Sequence, residues 1–541
     1  MLQKYSLSIF FVCLFFATDI HAQKASFGPE EDMLRKNTSA ITGSIVLGNG
    51  QYYLLENDYG ALMDFKNNIR THFRQYNLTG LATRGVTNIN PLIEEGKDQD
   101  DILITGLLNW KNRMVAFYTL RGNPSSAAYP AYGRIFDQQL RPQGKVADLG
   151  DFSQKMSASS VYWQTGTLLN GRSKLNVVNQ FHYRLSPDSS LLMIMANSSD
   201  RNNFNVKFNV FNETLEKVNT VSADIPIKTQ KATLEQMLIS NKGIIYLLVY
   251  NFKSNAQKKE EENDDDYVTE LYSINPAKNN EVKSVTIQVP QSTTLRPSLT
   301  LDINGNPTVI GWYRSAVTEN EKIRATGLFS IKIDEQTFKA SAPSLKTFHE
   351  EFLINLMDEK SVKKIGGYSL STIPFTQFLP ASDGGVFAVG QLRYKSVRAR
   401  GTTGALNTYL DHFGNIVYCY INPNGKIEWL DGLYHDSKII EWTTHLYAPV
   451  LFTINDQLHV GMNGDNGLKK REQRFGINFG VYNSKGKVTD KFVELNEELQ
   501  QHYIVGPTTN KINGRSILIG LVKPVTSAFG GQKCSVMKID F

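Results

Sequence analysis

Two groups of side chains in this 541-residue sequence are of types that do chemistry. The first is the stretch DGLYHDSKIIEWTTH (431–445), which brings Asp431, His435, Asp436, Glu441 and His445 close together. Imidazole and carboxylate groups are ligands for zinc and other transition metals. Their spacing matches no standard metal motif, and the competing reading is a solvated linker between two structural units. No metal is assigned; His435, Asp436 and His445 are the candidate ligands. The second group is basic. Arg121, Arg314 and Arg393 each follow an apolar run, Tyr313 and Tyr394 adjoin two of them, and Arg398 comes shortly after. Guanidinium forks pair with carboxylate or phosphate, and tyrosine rings add stacking surface. That combination suits an acidic glycan, an acidic peptide or an anionic envelope component. The competing reading is that loops of a basic protein simply carry arginine and lysine.

Other chemistries are looked for and not found. The sequence has no G-x-S-x-G elbow, no H-E-x-x-H and no phosphate-cradling glycine loop. HEEFL (349–353) opens like the zinc motif but has no second histidine, and ASDGGVF (381–387) only partly resembles a sialidase aspartate box. NGDNG (463–467) and DQDD (98–101) are rich in oxygen donors but lack an EF-hand register. KKEEENDDDY (258–267) reads as a solvated charge run. No pair of carboxylates stands out for glycoside cleavage, so no catalytic residue and no cofactor are assigned.

Whatever holds these groups is built from repeats. One kind of hairpin has an apolar strand, a tight polar turn, then a strand closing on glycine: LTLDINGNPTVIGW (299–312), FLPASDGGVFAVG (378–390), VLFTINDQLHVG (450–461) and TTNKINGRSILIG (508–520). A second kind has a Gly-Lys turn, at Gly144-Lys145, Gly425-Lys426 and Gly486-Lys487. Glycine supplies the positive φ that a short hairpin turn requires, which makes these turns architecture rather than a binding motif. First-type turns fall near residues 49, 111, 188, 242, 305, 384, 455 and 512. Second-type turns fall near 67, 142, 213, 278, 335, 423 and 484. Each pair is a four-stranded unit, and radial repetition of such units is a β-propeller. Eight blades are preferred and seven is the nearest alternative; a pair of β-sandwich domains is the other architecture considered. The eighth unit lacks its outermost strand, which the segment from Ser26 to Arg35 is placed to supply. Apolar residues Phe348, Phe352, Leu353, Leu356 and Met357 recur at helical spacing and predict a short helix within 345–364.

INPNGKIEW (421–429) resembles the blade signature of quinoprotein-type propellers, in which tryptophan follows the Gly-Lys turn. Trp429 fits it, whereas Asp148 and Asp490 stand at the equivalent positions of the other two copies. The stretch from Phe348 to Trp429 also resembles uncharacterised secreted propeller proteins of Bacteroidota, a likeness that implies a propeller and export but no activity.

The N-terminus has Lys4, an apolar run from Leu7 to Ala17 and a small residue at Ala22. Eleven residues are too few to span a bilayer, so residues 1–22 are expected to be a secretory leader. Residues 23–541 are then one propeller domain, periplasmic, surface-held or secreted. The net charge of +6 is spread along the chain, unlike a nucleic-acid-binding surface. Cys419 and Cys534 fall in units six and eight, too far apart for a disulfide. The long connections between the two hairpins of a unit emerge together on one face, where binding loops concentrate. The function expected is non-catalytic binding of an anionic ligand or envelope partner on that face. The alternatives are a polysaccharide hydrolase or lyase acting there, and a structural subunit.

Overall fold

The computed structural model describes residues 24–34, 39–48, 51–58, 70–93, 102–120, 129–152, 183–197, 204–228, 231–252, 267–316, 325–356, 373–398, 408–434, 437–440, 449–465, 473–523 and 533–541. Its strands form eight antiparallel sheets of four or five strands. Blades one to seven are continuous in the chain, spanning 39–88, 102–152, 183–225, 232–287, 292–347, 375–440 and 450–494. Blade eight takes three strands from 503–540, and its outermost strand is Lys24–Phe27, paired with Lys533–Asp540. The first strands of blades three to six touch in turn, as do those of blades seven and eight and of blades eight and one, so the sheets stand in a ring with the first strands innermost. The protein is an eight-bladed β-propeller.

Burial explains the apolar runs. A blade's faces pack on the blades either side, so a second strand such as Ile245–Phe252 is buried at nearly every position. A rim strand such as Lys217–Ile225 alternates or faces solvent. Continuous apolar runs mark strands covered on both faces, and alternation marks strands covered on one.

The turns follow a rule in which glycine is only one option. Every described outer hairpin opens on Asn or Asp: Asn77, Asp137, Asn212, Asn275, Asp334, Asn422 and Asn483. In each, the side-chain oxygen accepts a backbone N–H two or three residues on. The left-handed position that follows holds Gly425 in blade six but Leu81, Leu140, Leu215 and Phe338 in blades one, two, three and five. Blade one shows the consequence. The sequence predicts its outer turn near 67, outside the described residues, but the turn joins Arg70–Tyr76 to Thr83–Asn88. In blade two the turn runs through Asp137–Arg141, and Gly144 sits past it, in a bulge of the strand Pro142–Phe152. Gly425 and Gly486 do close outer turns with positive φ.

Three more expectations change. The helix predicted over 345–364 is Glu350–Leu356, with Phe352, Leu353 and Leu356 buried, and it is preceded by the blade-five strand Ser344–Thr347. Met357 and the residues after it fall outside the described residues. The stretch 431–445 is not simply a linker: Ile427–Leu433 and Ser437–Ile440 are strands pairing the same neighbour. Finally, the closing glycines have a packing role. Gly520 donates its N–H to Thr508 Oγ1 at 2.6 Å, and a Cβ there would lie 2.9 Å from that oxygen. Thr508 belongs to an irregularity in the first strand that bulges towards the glycine.

Tryptophan joins blades. Trp110 Nε1 donates to Ser189 O at 2.7 Å, Trp312 Nε1 to Ile373 O at 2.7 Å and Trp429 Nε1 to Asn483 O at 2.9 Å. Each acceptor belongs to the next blade or the residues leading into it. Trp429, the residue of the quinoprotein-like signature, thus stacks on Tyr482 and ties blade six to seven. Cys419 and Cys534 are buried and unbridged, and burial raises both thiol pKa values.

Candidate functional site

Strands alternate direction, so the two short hairpin turns of each of blades one to seven lie on one face and the connections between hairpins on the other. The arginine candidates belong to the latter. Arg121 lies outside the described residues. Arg314 is inside the second strand of blade five, partly buried and paired in register with Thr293. Tyr313 is not a stacking surface: its ring is in the apolar core and its hydroxyl is 3.0 Å from Thr347 Oγ1. Arg474 lies 3.5 Å from Glu494.

Blade six departs from the others. Its second and third strands, Val386–Arg398 and Thr408–Ile421, are 13 and 14 residues long, where the corresponding strands of blade four have 8 and 9. Their pairing continues to Arg398↔Thr408, and Ser437–Ile440 pairs alongside as a third strand. The stretch that reads as a loop is therefore largely a β-ribbon projecting on the long-connection face. Arg393, Tyr394 and Arg398 are on one strand of it, opposite Phe413, His412 and Thr408. His435, Asp436 and His445 lie outside the described residues; among those described, no cluster of three metal-ligating side chains occurs. Asp383 of ASDGGVF accepts from Gly385 N at 2.9 Å and from the Tyr420 hydroxyl, closing a blade turn.

Sequence reasoning misses the axis. A cavity of about 400 Å³ is lined by residues on or next to the first strands of blades two to six. Pro187, Ile303 and Pro380, on its wall, adjoin the short hairpin turns, so it lies towards the short-turn end. Its lining is mainly apolar, with Arg184, Glu235, Gln236, Ser298, Thr300 and Thr376 as polar members. Bulges aim some of these. The register of the first strand skips Glu235 in blade four and Thr376 in blade six, and breaks just before Ser298 in blade five. A bulge turns a side chain out of the normal alternation, which is how strands re-aim residues beside binding sites. Gln236 is held by accepting the Leu299 N–H across the neighbouring blade. Arg184 Nη1 donates to Tyr183 O at 2.8 Å, and burial lowers the guanidinium pKa below its ordinary value. No single stretch of sequence marks this cavity.

No family model and no curated protein matches the chain. Among solved structures it is similar to prolyl oligopeptidase B from Galerina marginata, at 8% identity and TM-score 0.37, covering 90% of this chain and 56% of that one. This chain therefore spans little more than half that peptidase's length. It is also similar to a protein of unknown function from Dyadobacter fermentans, at 9% identity and TM-score 0.30, covering 96% and 99%. The β-propeller domain of the trilobed protease from Pyrococcus furiosus is a third, at 9% and 0.32, covering 81% and 93%. Likeness at this level says nothing of activity.

Proposed function

We propose that the protein is an exported, non-catalytic propeller that binds an anionic ligand or envelope partner on its long-connection face. The blade-six ribbon carries this reading. It extends paired backbone beyond the blade on the face where the other blades turn, and Arg393, Lys395 and Arg398 occur along one strand of it. Binding elements held on a rigid scaffold lose little conformational entropy on engagement. Arginine and lysine at such positions favour carboxylate- or phosphate-bearing partners, such as an acidic glycan, an acidic peptide or an anionic envelope polymer.

The test is retention of the protein, without residues 1–22, on sedimented cell envelope and on an acidic-glycan panel at low and high salt. Charge-led retention weakens with salt because ions screen exposed pairs. It is expected to fall further in an Arg393→Ala/Arg398→Ala variant, and to a lesser degree in Arg121→Ala and Arg314→Ala. Salt-insensitive retention unaffected by these changes would sink the anionic reading. Release of new reducing or unsaturated ends from a bound polysaccharide would replace it with a hydrolase or lyase.

A further inference from the structure

The wall of the axial cavity is layered. The first strands of blades four, five and six run towards the short-turn end, and each passes from a polar residue on the wall to an apolar one. In blade four Gln236 precedes Leu238, in blade five Ser298 precedes Leu301 and Ile303, and in blade six Thr376 precedes Phe378. These strands are neighbours in the ring. The polar side chains therefore form one level, and the apolar ones a second level nearer the short turns. A register break lies beside the polar residue in all three strands, the device by which strands re-aim side chains at binding sites.

The polar level is uncharged in character. Gln236 commits its side-chain oxygen to the Leu299 N–H, which leaves its NH2 group as the donor on the wall. Ser298 and Thr376 add hydroxyls. Arg184 and Glu235, the charged members of the lining, are already engaged within the protein, so the wall does not require a charged guest. The apolar level is open: Leu238, Leu301 and Phe378 are half-buried, and Ile303 is 54% exposed.

We propose that the axial cavity binds a small uncharged carbonyl compound with an apolar tail, of the chemistry of an acyl amide or ester. The carbonyl oxygen accepts from the Gln236 NH2 group and the Ser298 hydroxyl, and the tail lies along Leu238, Leu301 and Phe378 towards the short-turn end. The volume, about 400 Å³, is at the small end of the range for small-molecule pockets, which are mostly apolar with a few placed polar groups. A carboxylate or ammonium in the same place would be desolvated without an opposite charge to pair with it, a far larger cost than burying a neutral carbonyl. An alkane would give the donors no acceptor. Binding involves no covalent step.

The test is a ligand-observed NMR titration of the full chain with octanamide. Octanoate and octylammonium, which replace the neutral head by a charge, and acetamide, which lacks the tail, accompany it. Octanamide is expected to bind at least about tenfold more tightly than each of the other three. Gln236→Glu keeps an acceptor for the Leu299 N–H but removes the donor, and should weaken octanamide about tenfold. Ser298→Ala, a milder change, should weaken it about threefold. Leu301→Trp fills the apolar level without touching the donors and should abolish binding. The variants are independent, so one that fails to fold leaves the others to decide. No binding of octanamide, or equal affinity for octanamide and any of the three comparison probes, overturns the proposal. Affinity unchanged in Gln236→Glu, or surviving Leu301→Trp, does the same. The probe is neutral and the variants lie on the axis, so the result is independent of envelope retention on the opposite face.

Discussion

The seam between blades eight and one and the seam between blades five and six do the same job with different chemistry. Blades five and six are joined by continuous chain. Their contact has an apolar centre, with Trp312 buried among Phe348, Phe352 and Phe375 and its indole N–H satisfied by Ile373 O, and beside it Ser330 Oγ donates to Gly425 O and Lys346 Nζ to Glu428 O. Blade eight is built from both ends of the chain, and the N-terminal strand that completes it leads on into blade one. There the Arg74 guanidinium reaches Glu56 at 2.9 Å, Glu31 at 3.2 Å and Asp32 O at 2.9 Å, while Glu56 also accepts from Leu34 N at 2.6 Å. Thr508 O accepts from both Ser44 Oγ and Tyr52 Oη, at 2.7 and 2.9 Å. Apolar packing is non-directional, so direction at the five–six seam comes from the hydrogen bonds beside Trp312. Where blade eight is closed by strands from opposite ends of the chain, a buried ion pair supplies direction more than net stability.

This contrast can be broken most severely by removing residues 24–32, which deletes the outermost strand of blade eight and Glu31. The expected outcome is a larger fall in Tm than any single substitution gives, with early loss of hydrogen-exchange protection in blades eight and one. Unchanged protection there would mean that the N-terminal strand is not the closure. Next in size is Glu56→Ala, which leaves the nearly buried Arg74 without its closest carboxylate. Removing one partner of a buried pair costs about 3–5 kcal/mol, read as a drop in the urea midpoint. If Arg74→Met/Glu56→Leu restores most of the loss, the seam's specificity and its stability separate, as the comparison requires. Trp312→Phe is smaller, about 2 kcal/mol, since packing volume is partly kept and one carbonyl loses its donor. Trp429→Phe should cost less still, because that indole is only partly buried.

The smallest effect is a pH dependence specific to the polar seam. His502 is buried 3.4 Å from Glu30, and burial lowers its pKa from 6.5 to about 4 despite that carboxylate. A histidine held neutral in the fold but free to protonate in the unfolded chain contributes in full above about pH 6.5, and its contribution is lost as pH falls towards about 4. His459 in blade seven, lowered by burial to about 3, acts in the same direction over a slightly wider window. His502→Gln should flatten part of the stability decline between pH 6.5 and 4, and His459→Gln a further part. Glu30 responds lower down. Burial alone would raise its pKa, but Lys533, Lys523 and His502 outweigh it and hold the carboxyl below its ordinary value, so its contribution disappears only as pH falls through that depressed range. A stability curve for His502→Gln identical to wild type from pH 6.5 to 4 would remove this histidine from the account.

The repeat was legible because hairpin turns are local. An Asx side chain that accepts the N–H groups of its own turn, or a glycine with positive φ, acts within five residues of itself, so the turns announce themselves in the primary structure. Blade one escaped that reading for an equally local reason. Leu81 occupies the left-handed position with its side chain buried, against intrinsic preference, and the turn is held by Asn77 and by core burial instead of by glycine.

The sites were less legible. The blade-six ribbon reads as a loop because its third strand, Ser437–Ile440, joins it from beyond the intervening strand Ile427–Leu433. The chemistry of its arginines was visible; the paired backbone that carries them was not.

By itself, then, the sequence determines most of the turns and the four-stranded unit that repeats along the chain, since each follows from side chains acting on neighbouring backbone or from burial on one or both faces of a strand. Only the tertiary structure decides what stands on the axis. Arg184, Glu235, Leu301 and Phe375 are brought to one cavity by ring closure and by bulges whose direction depends on the adjoining blades. Those constraints act between strands distant in the chain, and no spacing along it encodes them.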